Sequence, residues 1–242
     1  MRAIVLGLAV ISAFASAQDR DRTFYLTHTA TVQQFQEVAT VIRTIANIQQ
    51  VSTDNDQKSV TVHATAGQIA MAEWLFNELD NPAIQASVPH EYRVPGDTDD
   101  VLRVFYVTTA ATVQDFQEIS TMVRTISSIT RVFTYNAPRA LVVRDTAAQI
   151  QLAEWLVKEL DQPAAPSSHE YRIPGGKDDV VHVLYLAQTG SVQAFQKAAT
   201  QIRTATQMNR VFTCNTPKAL AVRGTADQIA MAERMAKELD KP

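Results

Sequence analysis

Two His-Glu pairs, His90-Glu91 and His169-Glu170, are the residues whose types first suggest chemistry. On a helix, His-Glu followed by a second His one turn later holds zinc and supplies a general base. Here Val94 and Ile173 occupy that next-turn position, and both pairs fall in stretches that read as strands, where successive side chains face opposite ways. Asp99-Asp100 and Asp178-Asp179 have the composition of a calcium loop but lack further oxygen ligands at the required spacing. They read as solvated turns. The single cysteine, Cys214, rules out an intramolecular disulfide. Its counterparts in the repeats described below are Tyr135 and Asp54, so its position has no fixed chemical duty, although an exposed thiol there would be able to cross-link two chains. No Ser, Thr or Cys stands at a recognisable motif spacing from a His and a carboxylate. No catalytic residue, metal or cofactor is expected, and the chain is not expected to be an enzyme.

The composition is that of globular material: 242 residues, 46% hydrophobic and 19% charged, with a formal net charge of -3. An acidic balance provides no overall field to hold a polyanion, which argues against nucleic acid as a partner. Residues 1–17 read as a signal peptide, with Arg2, an apolar run from Ala3 to Phe14, and the small-residue site Ala15-Ser16-Ala17. The apolar run is too short to span a bilayer, and no membrane span is expected after it. Cleavage near Ala17 would release a periplasmic or secreted bacterial protein.

The elements that must position any site are spelled three times. Thr23–Pro82, Val104–Pro163 and Val183–Pro242 are each sixty residues long and align without a gap, and the second and third agree at about half of their positions. Each opens with a short strand around an invariant tyrosine: Phe24-Tyr25-Leu26, Phe105-Tyr106-Val107 and Leu184-Tyr185-Leu186. A capping hydroxyl follows (Thr31, Thr112 or Ser191), and then apolar residues at helical spacing, such as Val113, Phe116, Ile119, Val123, Ile126 and Ile129. Arg131 to Thr134 and Ala140 to Arg144 read as a hairpin. A second helix begins at a Thr/Gln capping box, Thr65/Gln68, Thr146/Gln149 or Thr225/Gln228, and stops at Leu-Asp-x-Pro. The fold class is therefore α+β: three tandem βαββα modules, each a small sheet with two helices on one face. The expected domains are residues 18–82, 90–163 and 169–242, with linkers at 83–89 and 164–168. The second and third modules carry an added leading strand, His90-Glu91-Tyr92-Arg93 or His169-Glu170-Tyr171-Arg172, closed by a Pro-Gly turn.

The Tyr-centred opening strand, the apolar Ala140-Leu141-Val142-Val143-Arg144, and the closing Ala-Glu-x-Leu-x-x-Glu-Leu-Asp-x-Pro resemble the periplasmic repeat domains of bacterial secretins. Secretins are the outer-membrane channels of type II and type III secretion and of type IV pili. The resemblance implies KH-like modules that work by protein-protein contact, without the channel domain, since the third module ends at Pro242. A KH outline also brings nucleic acid to mind, but none of the seven glycines forms the Gly-x-x-Gly clamp. Arg43, Arg124 and Arg203 recur on the first helix and are expected to be solvated or to pack against it.

Two sets of residues point to contact. Trp74 and Trp155 share a second-helix position that holds Arg234 in the third copy. The expectation is that each tryptophan packs on the next linker or module and that Arg234 marks an exposed end, against the alternative of ordinary core packing. The sheet face away from the helices carries Tyr106 with Val142 and Arg144, and Tyr185 with Ala221 and Arg223. It is expected to be either an open protein interface or a surface buried under a linker strand. In the first copy Thr61 and His63 accompany Tyr25, so that face is the most polar. The functional expectation is an exported, non-catalytic interaction scaffold associated with an envelope secretion or pilus assembly. Its partners would be a secretin, copies of itself or another envelope protein. The alternative is a binding module for lipid or cell-wall ligands.

Overall fold

The structure is a computed structural model that describes residues 19–29, 31–81, 90–96, 99–162, 168–176 and 178–241. The expected signal peptide, the expected linker at 83–89 and most of that at 164–168 lie outside the described residues. Among those described there are six helices, and the strands form three antiparallel sheets.

Module 1 comprises β1 (Arg20–Tyr25), α1 (Val32–Ile45), β2 (Gln50–Asp54), β3 (Ser59–Ala64) and α2 (Ala66–Leu79), with sheet order β1-β3-β2. Module 2 adds the leading strand. It runs β4 (His90–Arg93), β5 (Asp100–Tyr106), α3 (Val113–Ser127), β6 (Arg131–Tyr135), β7 (Ala140–Thr146) and α4 (Ala147–Leu160), in the order β4-β5-β7-β6. Module 3 repeats this with β8 (His169–Arg172), β9 (Val180–Tyr185), α5 (Val192–Thr206), β10 (Arg210–Cys214), β11 (Ala219–Gly224) and α6 (Ala226–Leu239), in the order β10-β11-β9-β8.

The helix starts follow from their caps. Thr31, Thr112 and Ser191 accept the backbone N–H of Gln34, Asp115 and Ala194, and Thr65, Thr146 and Thr225 do the same for Gln68, Gln149 and Gln228. Each satisfies an N–H that the first helical turn leaves orphaned. The aspartate of the Leu-Asp-x-Pro signature has a second task. Asp161 accepts the backbone N–H of Thr108 and Thr109 at 2.9 and 2.6 Å, which ties the end of α4 to the loop before α3. Asp80 does this for Thr27 and His28, and Asp240 for Gln188 and Thr189.

The strand after each leading segment starts earlier than the Phe105 that local pattern suggests. β4 and β5 form a hairpin pairing His90 with Val104 and Arg93 with Val101, which draws Asp100 to Val104 into the ladder. Gly96 and Gly175 make that turn with φ of 85° and 78°, a region other residues enter at a cost. Arg139, at φ 52° in the β6–β7 turn, is held there by its guanidinium, which donates to the carbonyl of Ala111 at 2.9 Å.

The sheets of modules 2 and 3 are sandwiched, and strand alternation shows how. Along β7, Leu141 and Val143 join a core with Phe116, Ile126 and Leu156 of their own module, whereas Ala140 and Val142 join the core of module 1 with Ile42, Ile45 and Leu75. Likewise Val181, Val183, Cys214, Ala219 and Ala221 of module 3 belong to the core of module 2. Each interior sheet is thus covered on one face by its own helices and on the other by helices of the preceding module: α1 lies on β6 and β7, and α3 on β10 and β11. Full burial of a Val or Leu side chain contributes roughly 1.5–3 kcal/mol, so this second layer supplies area that a 60-residue unit lacks alone.

Candidate interaction site: the repeated module junction

The candidate residues meet at two junctions of the same design. Their polar contacts use one tyrosine, one arginine and one asparagine from the following module. Tyr106 Oη donates to the carbonyl of Glu78 at 3.1 Å, and Tyr185 Oη donates to that of Glu159 at 2.5 Å. Arg144 Nη1 donates to the carbonyl of Ile45 at 2.8 Å, while its Nε and Nη2 hold Asp100. Arg223 repeats this with Ile126 at 2.7 Å and with Asp179. These carbonyls lie at or near helix C-termini, where orphaned acceptors and the negative end of the helix dipole favour a cation.

The asparagine contact was not legible as a site in any one copy. Glu37 accepts both the backbone and side-chain N–H of Asn136, at 3.0 and 2.9 Å. Glu118 does the same for Asn215, at 2.7 and 2.8 Å. On α1 and α3 these glutamates belong to no motif. The signal is in the alignment, where Lys197 follows Glu37 and Glu118, just as Arg234 follows Trp74 and Trp155.

The tryptophans lie against the leading strands. Trp74 faces Tyr92 of β4 with ring centroids 5.7 Å apart, and Trp155 faces Tyr171 of β8 at 5.4 Å. Arg234 is exposed. Tyr106, Arg144, Tyr185 and Arg223 therefore sit inside the chain against the preceding module, covered by its helices, and not on an open face. An outside partner would have to displace that module to reach them.

The electrostatics follow from burial and pairing. Burial pushes the Tyr106 and Tyr185 hydroxyls up, aided by Glu78 and Glu159, so both remain hydrogen-bond donors. Hydrogen bonds from Arg144 and Arg223 hold the Asp100 and Asp179 carboxyls below the ordinary range. The adjacent carboxylates divide their work. Asp100 serves the arginine, whereas Asp99 accepts the Ala147 N–H at the start of α4, and Asp178 does so for Ala226. The His-Glu pairs are junction residues too. His90 contacts the buried Glu78, whose carboxyl burial pushes up against the lowering pull of His90. His169 bonds Glu159 at 2.8 Å. Cys214 is fully buried beneath module 2, and its thiol is pushed up to about 12 by burial, with Glu118 adding to it. The recurrent helix arginines reach the neighbouring strand of their own module, Arg43 to the Val51 carbonyl at 3.2 Å and Arg203 to that of Val211.

Among the described residues no group of three or more His, Cys, Asp or Glu is placed to hold a metal, and no helix is long and apolar enough to cross a membrane. The cleft beside Arg144, about 310 Å³, is lined by Asp99, Asp100, Arg131 and Asp145 among others. Module 3 repeats it at about 330 Å³ beside Arg223. In both, the arginine and its aspartate saturate each other.

No protein-family model matches the chain, and no curated protein matches it. Among solved structures, ExeD of Aeromonas hydrophila aligns with 93% of this chain at 13% identity and a TM-score of 0.23. The N-terminal domain of the secretin XcpQ from Pseudomonas aeruginosa aligns over 92% of this chain and its own full length, at 15% identity and a TM-score of 0.27. Dim2p from Pyrococcus horikoshii aligns over 61% of this chain at 13% identity and a TM-score of 0.30, across 93% of its own length. This chain spans 41% of the ExeD chain and 38% of the secretin in the enterotoxigenic Escherichia coli AspS-GspD complex. Secretin N-terminal domains are thus among the structures to which the chain aligns.

Proposed function

We propose that the chain is an exported, non-catalytic scaffold for protein-protein contact in the bacterial envelope, working with a secretion or pilus-type assembly. The repeated junction carries this reading. It joins three modules that would each be marginal alone into one stack, with Trp74, Tyr106 and Arg144 at one joint and Trp155, Tyr185 and Arg223 at the next. A stack of like units presents its outer surface at regular intervals. Val32, Val113 and Val192, the first residues of α1, α3 and α5, are exposed at equivalent positions in all three modules. Several weak contacts of this kind combine, because holding the units in register keeps the next site at high effective concentration. The secretin-like motifs of the sequence support the association with secretion.

The test is cross-linking of the chain in its native envelope, followed by identification of what is captured. A defined protein of a secretion or pilus assembly is the expected product. Capture of no protein at all would overturn the scaffold reading.

A further inference from the structure

The two internal junctions are templates for a third contact, between module 3 of one chain and module 1 of another. The surfaces are the face of α5 and α6 that would cover a following module, and the face of the β1-β3-β2 sheet that a preceding module would cover. Several apolar positions buried at the internal junctions are polar at these ends, while Met71 and Leu152 keep an apolar counterpart in Met231. Val41 and Met122, buried on α1 and α3, become the exposed Gln201. On the sheet side, Leu102, Val104 and Val142, all buried, become Asp21, Thr23 and Thr61.

Terminal repeats of a stack are commonly capped by polar faces, and polarity alone would be only that. The changes here are also complementary in register. Glu37 holds the Asn136 turn and Glu118 the Asn215 turn across the internal junctions. The corresponding positions at the ends are Lys197 and Asn55, and Asn55 is flanked by Asp54 and Asp56. Trp74 lies on Tyr92, whose cross-strand partner is Leu102. The corresponding pair is Arg234 and Asp21. The lysine therefore arrives at a turn flanked by two aspartates, where the interior matches glutamate to an asparagine turn, and the arginine arrives near Asp21, where the interior matches tryptophan to an apolar strand.

The hydrogen-bonding tyrosine is retained as well. Tyr25 is the counterpart of Tyr106 and Tyr185, yet it is 57% exposed. Its partner by the template is the carbonyl of Glu238, the counterpart of Glu78 and Glu159.

We propose that this chain associates head to tail with further copies of itself, the α5/α6 face of one docking on the β1-β3-β2 sheet of the next through Lys197 with Asp54 and Asp56, Arg234 with Asp21, and Tyr25 with the Glu238 carbonyl. Such a heterologous contact uses different surfaces on the two partners, so it extends into a row unless the rotation closes a ring. Exposed ion pairs are weak and screened by salt, so the association is concentration-dependent and reversible. The inference rests on the scaffold reading and names one partner within it.

The experiment is sedimentation of the purified chain across a concentration series, at low salt and at about 1 M salt, where the screening length falls to about 3 Å. The expected result is dimers and longer species at low salt that dissociate at high salt. Lys197→Glu with Arg234→Glu should weaken the association at least about tenfold, and a partner carrying Asp21→Lys with Asp56→Lys should restore it only in the mixture. All four side chains are exposed, and among the described residues the only bond given up is the exposed one between Asp21 and His63, so thermal melting of the monomers should change little. A chain that stays monomeric throughout the low-salt series, or an association indifferent to Lys197→Glu with Arg234→Glu, overturns the proposal. If the chain is monomeric and envelope cross-linking still captures another protein, the head-to-tail contact alone falls.

Discussion

Arg223 Nη1 donates to the backbone carbonyl of Ile126 at 2.7 Å, across 97 positions of sequence, while its Nε and Nη2 hold Asp179. One guanidinium thereby joins strand β11, the entry to β9 and the C-terminal end of α3. Arg223→Ala leaves the Ile126 carbonyl and the Asp179 carboxylate without their donor. Hydrogen bonds to charged groups are worth about 1.5–3 kcal/mol, and partial exposure of Asp179 places the loss near the lower end, about 2 kcal/mol. Arg223→Lys should recover less than half, because a point charge cannot reach both partners. Urea titration followed by circular dichroism checks both values.

Cys214 makes the same junction observable. Its side chain is fully buried, its Sγ donates to the Thr216 carbonyl at 3.0 Å, and its thiol is pushed up to about 12 by burial. A thiol-reactive dye should label the native chain slowly, at a rate set by opening of the module 2 to module 3 contact. Glu118→Ala removes the acceptor of both Asn215 donors and should raise the labelling rate at least about tenfold, the effect of about 1.4 kcal/mol. Equal rates in the two proteins would show that Cys214 is reached by another route.

The three tyrosines occupy one repeat position and should respond differently to loss of the hydroxyl. Tyr106→Phe and Tyr185→Phe each delete one junction hydrogen bond and should cost about 1 kcal/mol. Tyr25→Phe, at a half-exposed site in the dilute monomer, should stay within about 0.5 kcal/mol. Denaturant midpoints of the three variants at one low protein concentration decide this.

The fold was legible wherever a few neighbouring residues dictate it. The caps at Thr31, Thr112 and Ser191, the helix stops at Leu-Asp-x-Pro and the leading strands all rest on local spacing and local hydrogen bonds. The asymmetry of Trp74 and Trp155 against Arg234 was legible as well, because an alignment of the copies exposes it. What covers the second sheet face was not. Val142 and Tyr106 read as one half-apolar face in isolation, and their cover comes from α1 and α2, far away in sequence. Glu37 was hidden for the same reason: its partner Asn136 lies 99 positions on. Docking of one module on the next is decided by shape and by partners that no local window contains.

Module 3 should also be the acid-sensitive one, through His182. This residue replaces Arg22 and Arg103 of the earlier modules, and it is 5% exposed on β9, with Nδ1 2.9 Å from Glu233 of α6. Burial lowers its pKa from the usual 6.5, outweighing the raising influence of Glu233, Glu170 and Glu159, with His169 adding slightly to the lowering. In the unfolded chain the imidazole takes up its proton near 6.5, so below that pH the unfolded state binds more protons than the folded one. Stability from this site is complete above that value and declines as pH falls toward the lower folded pKa, with a slope of at most about 1.4 kcal/mol per pH unit. The Asp100 and Asp179 pairs act lower on the scale. Their carboxyls are held below the ordinary 3.8 by hydrogen bonds from Arg144 and Arg223, so their contribution is lost only as pH falls through that region. Between about pH 7.5 and about pH 5, the melting temperature of the chain should therefore drop, and in His182→Gln it should drop less. An identical decline in the two proteins would assign the acid sensitivity elsewhere, with the Glu78 and His90 contact the next group to substitute.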